Sequence, residues 1–285
     1  MESIINITLS TYTLILLILK FEIKIKMKMK DAEKSENLYL ETLEKYKDLA
    51  DKSPETYLPK VADTQNNLGI LYDDLGRFEE AEHAYQEALE IFKELADQHP
   101  EENKIHVAMT QNNLGNFYWR LGRYHEAEFA YHEALEMVKE LAKKNPEVYK
   151  PNIALMQNNF GLLYSDLGRL DETEHAYQEA LEIYKELADK NPDAHKPNVS
   201  MMQYNLGILY WKLGRFEKAE QAYQEALGID KELAKKNPDV YKPNLAMTQK
   251  SLGRLYDDLG RFKEAEHAYQ EALEIEKELA NKSSD

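Results

Sequence analysis

The chain has 285 residues, 43% of them hydrophobic and 31% charged, and carries a formal net charge of −16. That charge argues against DNA or RNA as a partner, because phosphate binding needs a basic surface, and it favours partners with basic segments. There is no cysteine, which excludes disulfides and thiolate metal sites and fits a reducing cytoplasm.

The first thirty residues differ from everything after them. Residues 4–19 are mostly apolar, with a dense core from Tyr12 to Leu19. Lys20, Lys24, Lys26, Lys28 and Lys30 then alternate with apolar residues. A cleaved signal peptide does not fit, since Glu2 sits where a basic start is wanted and no small-residue cleavage site follows. A membrane anchor over residues 4–21 falls short of the ~20 apolar residues that spanning requires, because Asn6, Thr8, Ser10, Thr11 and Thr13 interrupt it. If it did insert, the lysines that follow would hold the rest of the chain in the cytoplasm. The other account is a later start. Translation from Met27 or Met29 would leave the segment out of the native protein.

Beyond it the chain repeats. Gly69, Gly115, Gly161, Gly207 and Gly253 stand 46 residues apart, and so do Gly76, Gly122, Gly168, Gly214 and Gly260. A period of roughly 20 to 50 residues means stacked supersecondary units whose members contact only their neighbours. Residues 31–53 read as a half-repeat, because Tyr39, Leu43, Lys47, Leu49 and Ala50 lie one period before Tyr85, Leu89, Lys93, Leu95 and Ala96. Five full repeats follow, over residues 54–99, 100–145, 146–191, 192–237 and 238–285, the last with a short tail.

Each repeat predicts two helices. In the first, Leu68, Leu71, Tyr72 and Leu75 recur at i, i+3, i+4 and i+7. Gly76 then ends it in a left-handed residue that costs glycine nothing. The second and longer helix runs from about Phe78 to Ala96, with Ala81, Ala84, Tyr85, Ala88, Leu89, Ile91, Phe92 and Leu95 on its apolar side. Gly69, interior to the first helix, costs roughly 1 kcal/mol against alanine. Close approach of the two helix backbones, with Ala81 and Ala88 opposite, is the expected compensation. Pro54, Pro100, Pro146, Pro192 and Pro238 punctuate the links, and a second series at Pro59, Pro151, Pro197 and Pro243 is expected in the first turn of the next helix.

These residues resemble the tetratricopeptide repeat: Leu68–Gly69 with Tyr72 one turn on, then Ala81, Tyr85, Ala88 and a late Pro100. Gln65 stands where that family has tryptophan, and the period exceeds its usual length of roughly 34 residues. The longer unit is most similar to the repeats of kinesin light chains. The resemblance implies an all-α fold, a right-handed α-solenoid of stacked antiparallel helix pairs. It also implies a concave groove lined by the first helices.

The resemblance places three sets of residues toward that groove: Asn67, Asn113, Asn159, Asn205 and Ser251; Ile70, Asn116, Leu162, Ile208 and Arg254; and a pair before the turn, Asp73–Asp74, Trp119–Arg120, Ser165–Asp166, Trp211–Lys212 and Asp257–Asp258. An asparagine amide donates and accepts, so it can pair with a peptide backbone whatever its sequence, and the family uses it so. The alternative is that these asparagines hold a neighbouring turn. Trp119 and Trp211 are the only tryptophans, and each precedes a cation. Rigid aromatics beside cations have the makeup of binding hot spots; the alternative is packing against the neighbouring first helix.

Other signals carry less. His83, His175 and His267 share a register on the second helix, and His125 and His132 are seven apart; all read as solvated histidines, with no metal expected. Adjacent acids such as Asp73–Asp74 point to different sides of a helix, and no phosphate loop, nucleophile elbow or zinc-protease motif occurs, so neither catalysis nor a cofactor is expected. At one slot of the second helix the copies read Phe92, Val138, Tyr184, Asp230 and Glu276, a drift toward acid that suits a solvated end. Leu273, Ile275 and Leu279 are expected to stay partly bare there.

The expected function is a non-enzymatic scaffold that holds a peptide segment of a partner protein in the groove. Self-assembly end to end through the last helix, as a weak homo-oligomer, is the alternative. A cytoplasmic location is expected, with membrane association only if residues 4–21 act as an anchor.

Overall fold

The computed structural model describes residues 30–282, so the apolar segment, its anchor reading and both candidate starts fall outside the described residues. Among the described residues there are eleven α-helices and no strand. After α1 (30–50) come α2 (Pro54–Asp74), α3 (Phe78–Gln98), α4 (Pro100–Arg120), α5 (Tyr124–Lys144) and α6 (Pro146–Asp166). They continue as α7 (Leu170–Lys190), α8 (Pro192–Lys212), α9 (Phe216–Lys236), α10 (Pro238–Asp258) and α11 (Phe262–Lys282). None is long and apolar enough to cross a membrane. The chain divides into two compact units between Phe117 and Tyr118, near the end of α4. Each is built of antiparallel helix pairs stacked as in an α-solenoid.

The helices of a pair are equal in length, 21 residues each in α2 and α3 and in every later pair. The expectation of a longer second helix was wrong because the first begins at the earlier proline. Pro54, Pro146, Pro192 and Pro238 occupy the first helical position, where the missing N–H has no partner to lose. The second series lies inside the helix, at Pro59, Pro151, Pro197 and Pro243. So close to the N-terminus, each removes one backbone bond without ending the helix. A single residue, such as Asn145, Asn191 or Asn237, joins one pair to the next.

Within each pair the turn is as expected. Gly76, Gly122, Gly168, Gly214 and Gly260 have φ between 68° and 72°. In the first, the Arg77 N–H reaches back to the Tyr72 carbonyl at 2.8 Å and the Gly76 N–H to the Asp73 carbonyl at 3.0 Å, the double closure of a Schellman motif.

The interior glycines are explained differently from expectation. A Cβ built on Gly69 would fall 2.7 Å from the Tyr85 ring; at Gly161 it would fall 2.3 Å from Tyr177, and at Gly207 and Gly253 2.6 Å from Tyr223 and Tyr269. The edge of an aromatic ring from the second helix presses on each of them. The alanines are buried as well, yet it is the ring that no larger residue would admit. Where Phe160 replaces the usual leucine it packs among Tyr131, His132 and Tyr164 at ring-centre distances of 5.5, 4.8 and 5.4 Å. Thr173, in place of the first alanine, is buried with its hydroxyl donating to the Arg169 carbonyl at 2.9 Å.

Asp230 overturns the expectation of a solvated end. Its side chain is 1% exposed. The Ser200 hydroxyl donates to Oδ1 at 2.6 Å and the Thr248 hydroxyl to Oδ2 at 3.0 Å, so α8, α9 and α10 meet at this carboxyl. Burial pushes that carboxyl above its usual range, and the two hydroxyls offset part of the rise. Glu276, one repeat later, is exposed and paired with Lys250.

Candidate functional site

The residues singled out by sequence lie on the first helices, and successive first helices bond to each other along that face. Within the first unit, the Asn113 amide donates to Asn66 Oδ1 at 3.0 Å. Within the second, the Asn205 amide donates to Asn158 Oδ1 at 3.2 Å, and the Tyr204 and Ser251 hydroxyls lie 3.2 Å apart. Asn158 and Asn159 are buried, with the Asn158 amide 3.5 Å from Asn159 Oδ1. Asn113 and Asn205 therefore have an architectural task, joining neighbouring first helices as side-chain amides can. Asn67 is exposed, and Asn116 is half-buried.

The first asparagine of each pair was missed by sequence reasoning, as was the glutamine before it. Gln157 donates to Glu179 Oε2 at 2.6 Å, and Gln65, Gln203 and Gln249 do the same to Glu87, Glu225 and Glu271. The signal was present: the Gln–Glu spacing is fixed within each repeat.

The variable pair sits at the C-terminal end of each first helix, three residues before an arginine that recurs in every repeat. Arg77 pairs with Glu36 at 2.8 Å and lies 4.3 Å over the Tyr72 ring in the first unit. In the second, Arg169 pairs with Glu128 at 2.7 Å and with Glu172 at 2.5 Å, over Tyr164 at 4.2 Å. Arg261 repeats this with Glu220, Glu264 and Tyr256. These arginines hold the carboxyls of Glu80, Glu172 and Glu264 below their usual range. The aromatic rings are partly desolvated, which raises the phenol of Tyr164 and of Tyr256. The deeper Tyr184 phenol is pushed up to about 12.

Both tryptophans belong to the second unit and make the same contact. Trp119 Nε1 donates to Asp166 Oδ2 at 2.8 Å, and Trp211 Nε1 donates to Asp258 Oδ2 at 2.6 Å. Each indole is half-buried and bonds forward to the acid of the next repeat. Lys212 points the other way, to the Ser165 hydroxyl at 3.4 Å. Arg120 and Arg254 are exposed. Asp257 accepts from the Tyr269 hydroxyl at 2.9 Å. Helical spacing puts Met201 and Ile208 in one row with Trp211, and Met247 in the matching row of α10. Met201 and Met247 are 40% and 44% exposed, large apolar residues open on the face that the bonds between first helices define.

The remaining candidates stay apart from this face. His83, His175 and His267 are exposed on second helices, each 3.8–3.9 Å from the glutamate one turn on. His125 is exposed, and His132 lies edge-on to Phe160. No cluster of metal-ligating side chains occurs among the described residues.

The sequence matches tetratricopeptide-repeat families over residues 23–94, 106–186 and 152–232, with further matches over 66–140 and 246–279. No curated protein matches it. Among solved structures the chain is similar to BtubC (BKLC) from P. vanneervenii, at 24% identity and a TM-score of 0.74, over 87% of this chain and 92% of that one. It is similar to a kinesin light chain-type protein of Podosopora anserina with nearly identical TPR-like repeats, at 19% identity and a TM-score of 0.60, over 78% and 98%. RapI in its apo form follows at 15% identity and 0.51, over 77% and 84%. At these identities the likenesses show the fold.

Proposed function

Because the chain belongs to the tetratricopeptide-repeat family, with repeats resembling those of kinesin light chains, we propose that it is a non-enzymatic scaffold holding a peptide segment of a partner protein against its first helices. The family and its fold support a protein-interaction role in general terms. One observation carries the finer reading. The positions that pack are nearly invariant between copies, whereas the pair at the exposed end of each first helix changes from copy to copy. In two copies that pair is a half-buried tryptophan and a cation, and in the second of these Met201 and, one repeat on, Met247 lie open in the same row. Half-buried aromatics in an apolar patch are what hot spots are made of. A cytoplasmic location accords with the absence of cysteine.

The test is loss of a captured partner. Trp119→Ala together with Trp211→Ala is expected to reduce capture of a partner from the native cell at least roughly tenfold. Thermal unfolding should keep a single cooperative transition. Capture at the original level by a folded double variant would refute the groove reading.

A second reading, self-association through α11, rests on that helix alone. Phe262 and Leu273 are 70% and 49% exposed, and α11 buries only Ala265, Ala268 and Ala272. Light scattering over a rising concentration series decides it. A constant monomer mass would eliminate stacking.

A further inference from the structure

We infer that each tryptophan and the aspartate it bonds form a receptor for a cationic side chain, arginine in particular, and that the second unit carries two such receptors in register. The inference rests on the groove reading above and specifies what the groove selects. Three observations carry it.

The first is the aspartates' position. Asp166 and Asp258 end α6 and α10, and neither helix has a basic residue in its last turn. A helix C-terminus carries roughly −0.5 elementary charge, so a carboxylate there is unfavourable and a cation is wanted. Second, the indole N–H of Trp119 or Trp211 occupies one carboxylate oxygen. That bond fixes the ring beside the acid and leaves the π-face as the remaining recognition element. A guanidinium can stack on an indole and hydrogen-bond a carboxylate at once, which an ammonium does less well. The third is the direction of the neighbouring lysine. Lys212 is turned back to Ser165, next to Asp166, so it leaves the receptor of Trp211 and Asp258 open to an outside cation and stands beside the one at Trp119, where an incoming arginine has to displace it. The net charge of −16 draws a basic segment to the surface from a distance.

The spacing follows from the repeat. Trp119 and Trp211 lie two first-helix steps apart, and neighbouring helices pack about 10 Å from axis to axis, so the receptors are roughly 20 Å apart. An extended segment covers that distance in about six residues. The preferred ligand is therefore an extended chain with two arginines about six residues apart.

The two tryptophans are the chain's only ones, so their fluorescence reports the site directly. The probe is a synthetic peptide of leucine and serine carrying two arginines about six residues apart. Controls are the same peptide with citrulline for both arginines and one with the arginines adjacent. The spaced peptide is expected to bind at least roughly tenfold more tightly than either control. The advantage should shrink with added salt. Asp166→Asn with Asp258→Asn, which keeps an acceptor for each indole, should abolish it. Equal binding of the citrulline peptide, or an undiminished arginine preference in D166N/D258N, would overturn the receptor. A captured partner that needs both tryptophans and binds through an uncharged segment would do so too, while leaving the groove reading intact.

Discussion

Alanine in place of Gly161 is expected to destabilise the second unit by about 2 kcal/mol, although helix propensity alone would make the same change stabilising by about 1 kcal/mol. The sign decides between the two effects. The new Cβ would lie 2.3 and 2.4 Å from two carbons of the Tyr177 ring, far inside van der Waals contact. Tyr177 cannot swing aside, because it is buried in a core that also holds Ala180, Leu181, Tyr210 and Ala219. Overpacking of this kind costs about 1–3 kcal/mol, and the short distance puts this case at the upper end. Gly69, Gly207 and Gly253, with closest approaches of 2.7, 2.6 and 2.6 Å, should respond less strongly. Denaturant unfolding followed by circular dichroism checks the sign and the order. Tyr177→Leu removes the obstructing ring edge, so the double variant should lose less stability than the two single losses summed. Strict additivity, or a more stable Gly161→Ala protein, would sink the ring-on-glycine account.

The 46-residue period, the positive-φ glycines and the helix pairs were legible because each depends on residues close together in the chain. Helix starts were less so. Pro59 and Pro151 looked like first-turn residues, yet proline near a helix N-terminus removes only one backbone bond and the helix extends upstream. Contacts between repeats were hardest. The spacing of Asn205 from Asn158, or of Trp211 from Asp258, is one period plus one residue, a coincidence that gains meaning only when two first helices lie side by side. Sequence placed the tryptophans at the turn but did not pair them with aspartates. The burial of Asp230 was misread for a related reason. An acid near the end of an array looks solvated until the hydroxyls of Ser200 and Thr248, from two other helices, are brought to it.

Refilling that site with apolar residues should have the opposite effect to the glycine change. The equivalent residues one repeat earlier are Ala154, Tyr184 and Met202, all buried in the same core. Ser200→Ala, Asp230→Tyr and Thr248→Met together would rebuild that composition. Replacing a buried polar group and its partners by packed apolar side chains of suitable size is often worth about 1–4 kcal/mol, and stabilisation in that range is expected at neutral pH. The pH dependence has a definite sign. Burial raises the folded-state pKa of Asp230 above its unfolded value, so the protonated acid is the form that folding favours. Its contribution is fully present below the unfolded pKa, about 4, and is lost as pH rises through the raised folded value. The gap between the triple variant and the natural protein should therefore narrow as pH falls from 7 toward about 4. A gap constant across that range would show that the carboxylate is not what weakens this junction. Gly228 lies in the same helix, at a position filled by Glu90, Glu136, Glu182 and Glu274 in the other repeats, with open space around it. It withholds a further ~1 kcal/mol of helix stability. Both weaknesses fall in α9, which packs against α8 and α10. In a solenoid whose repeats are held by nearest neighbours, α10 and α11 should then open before α6 and α7. Native-state hydrogen exchange should show that order in the natural protein, narrow it in the triple variant and lose it once Gly228→Glu is added.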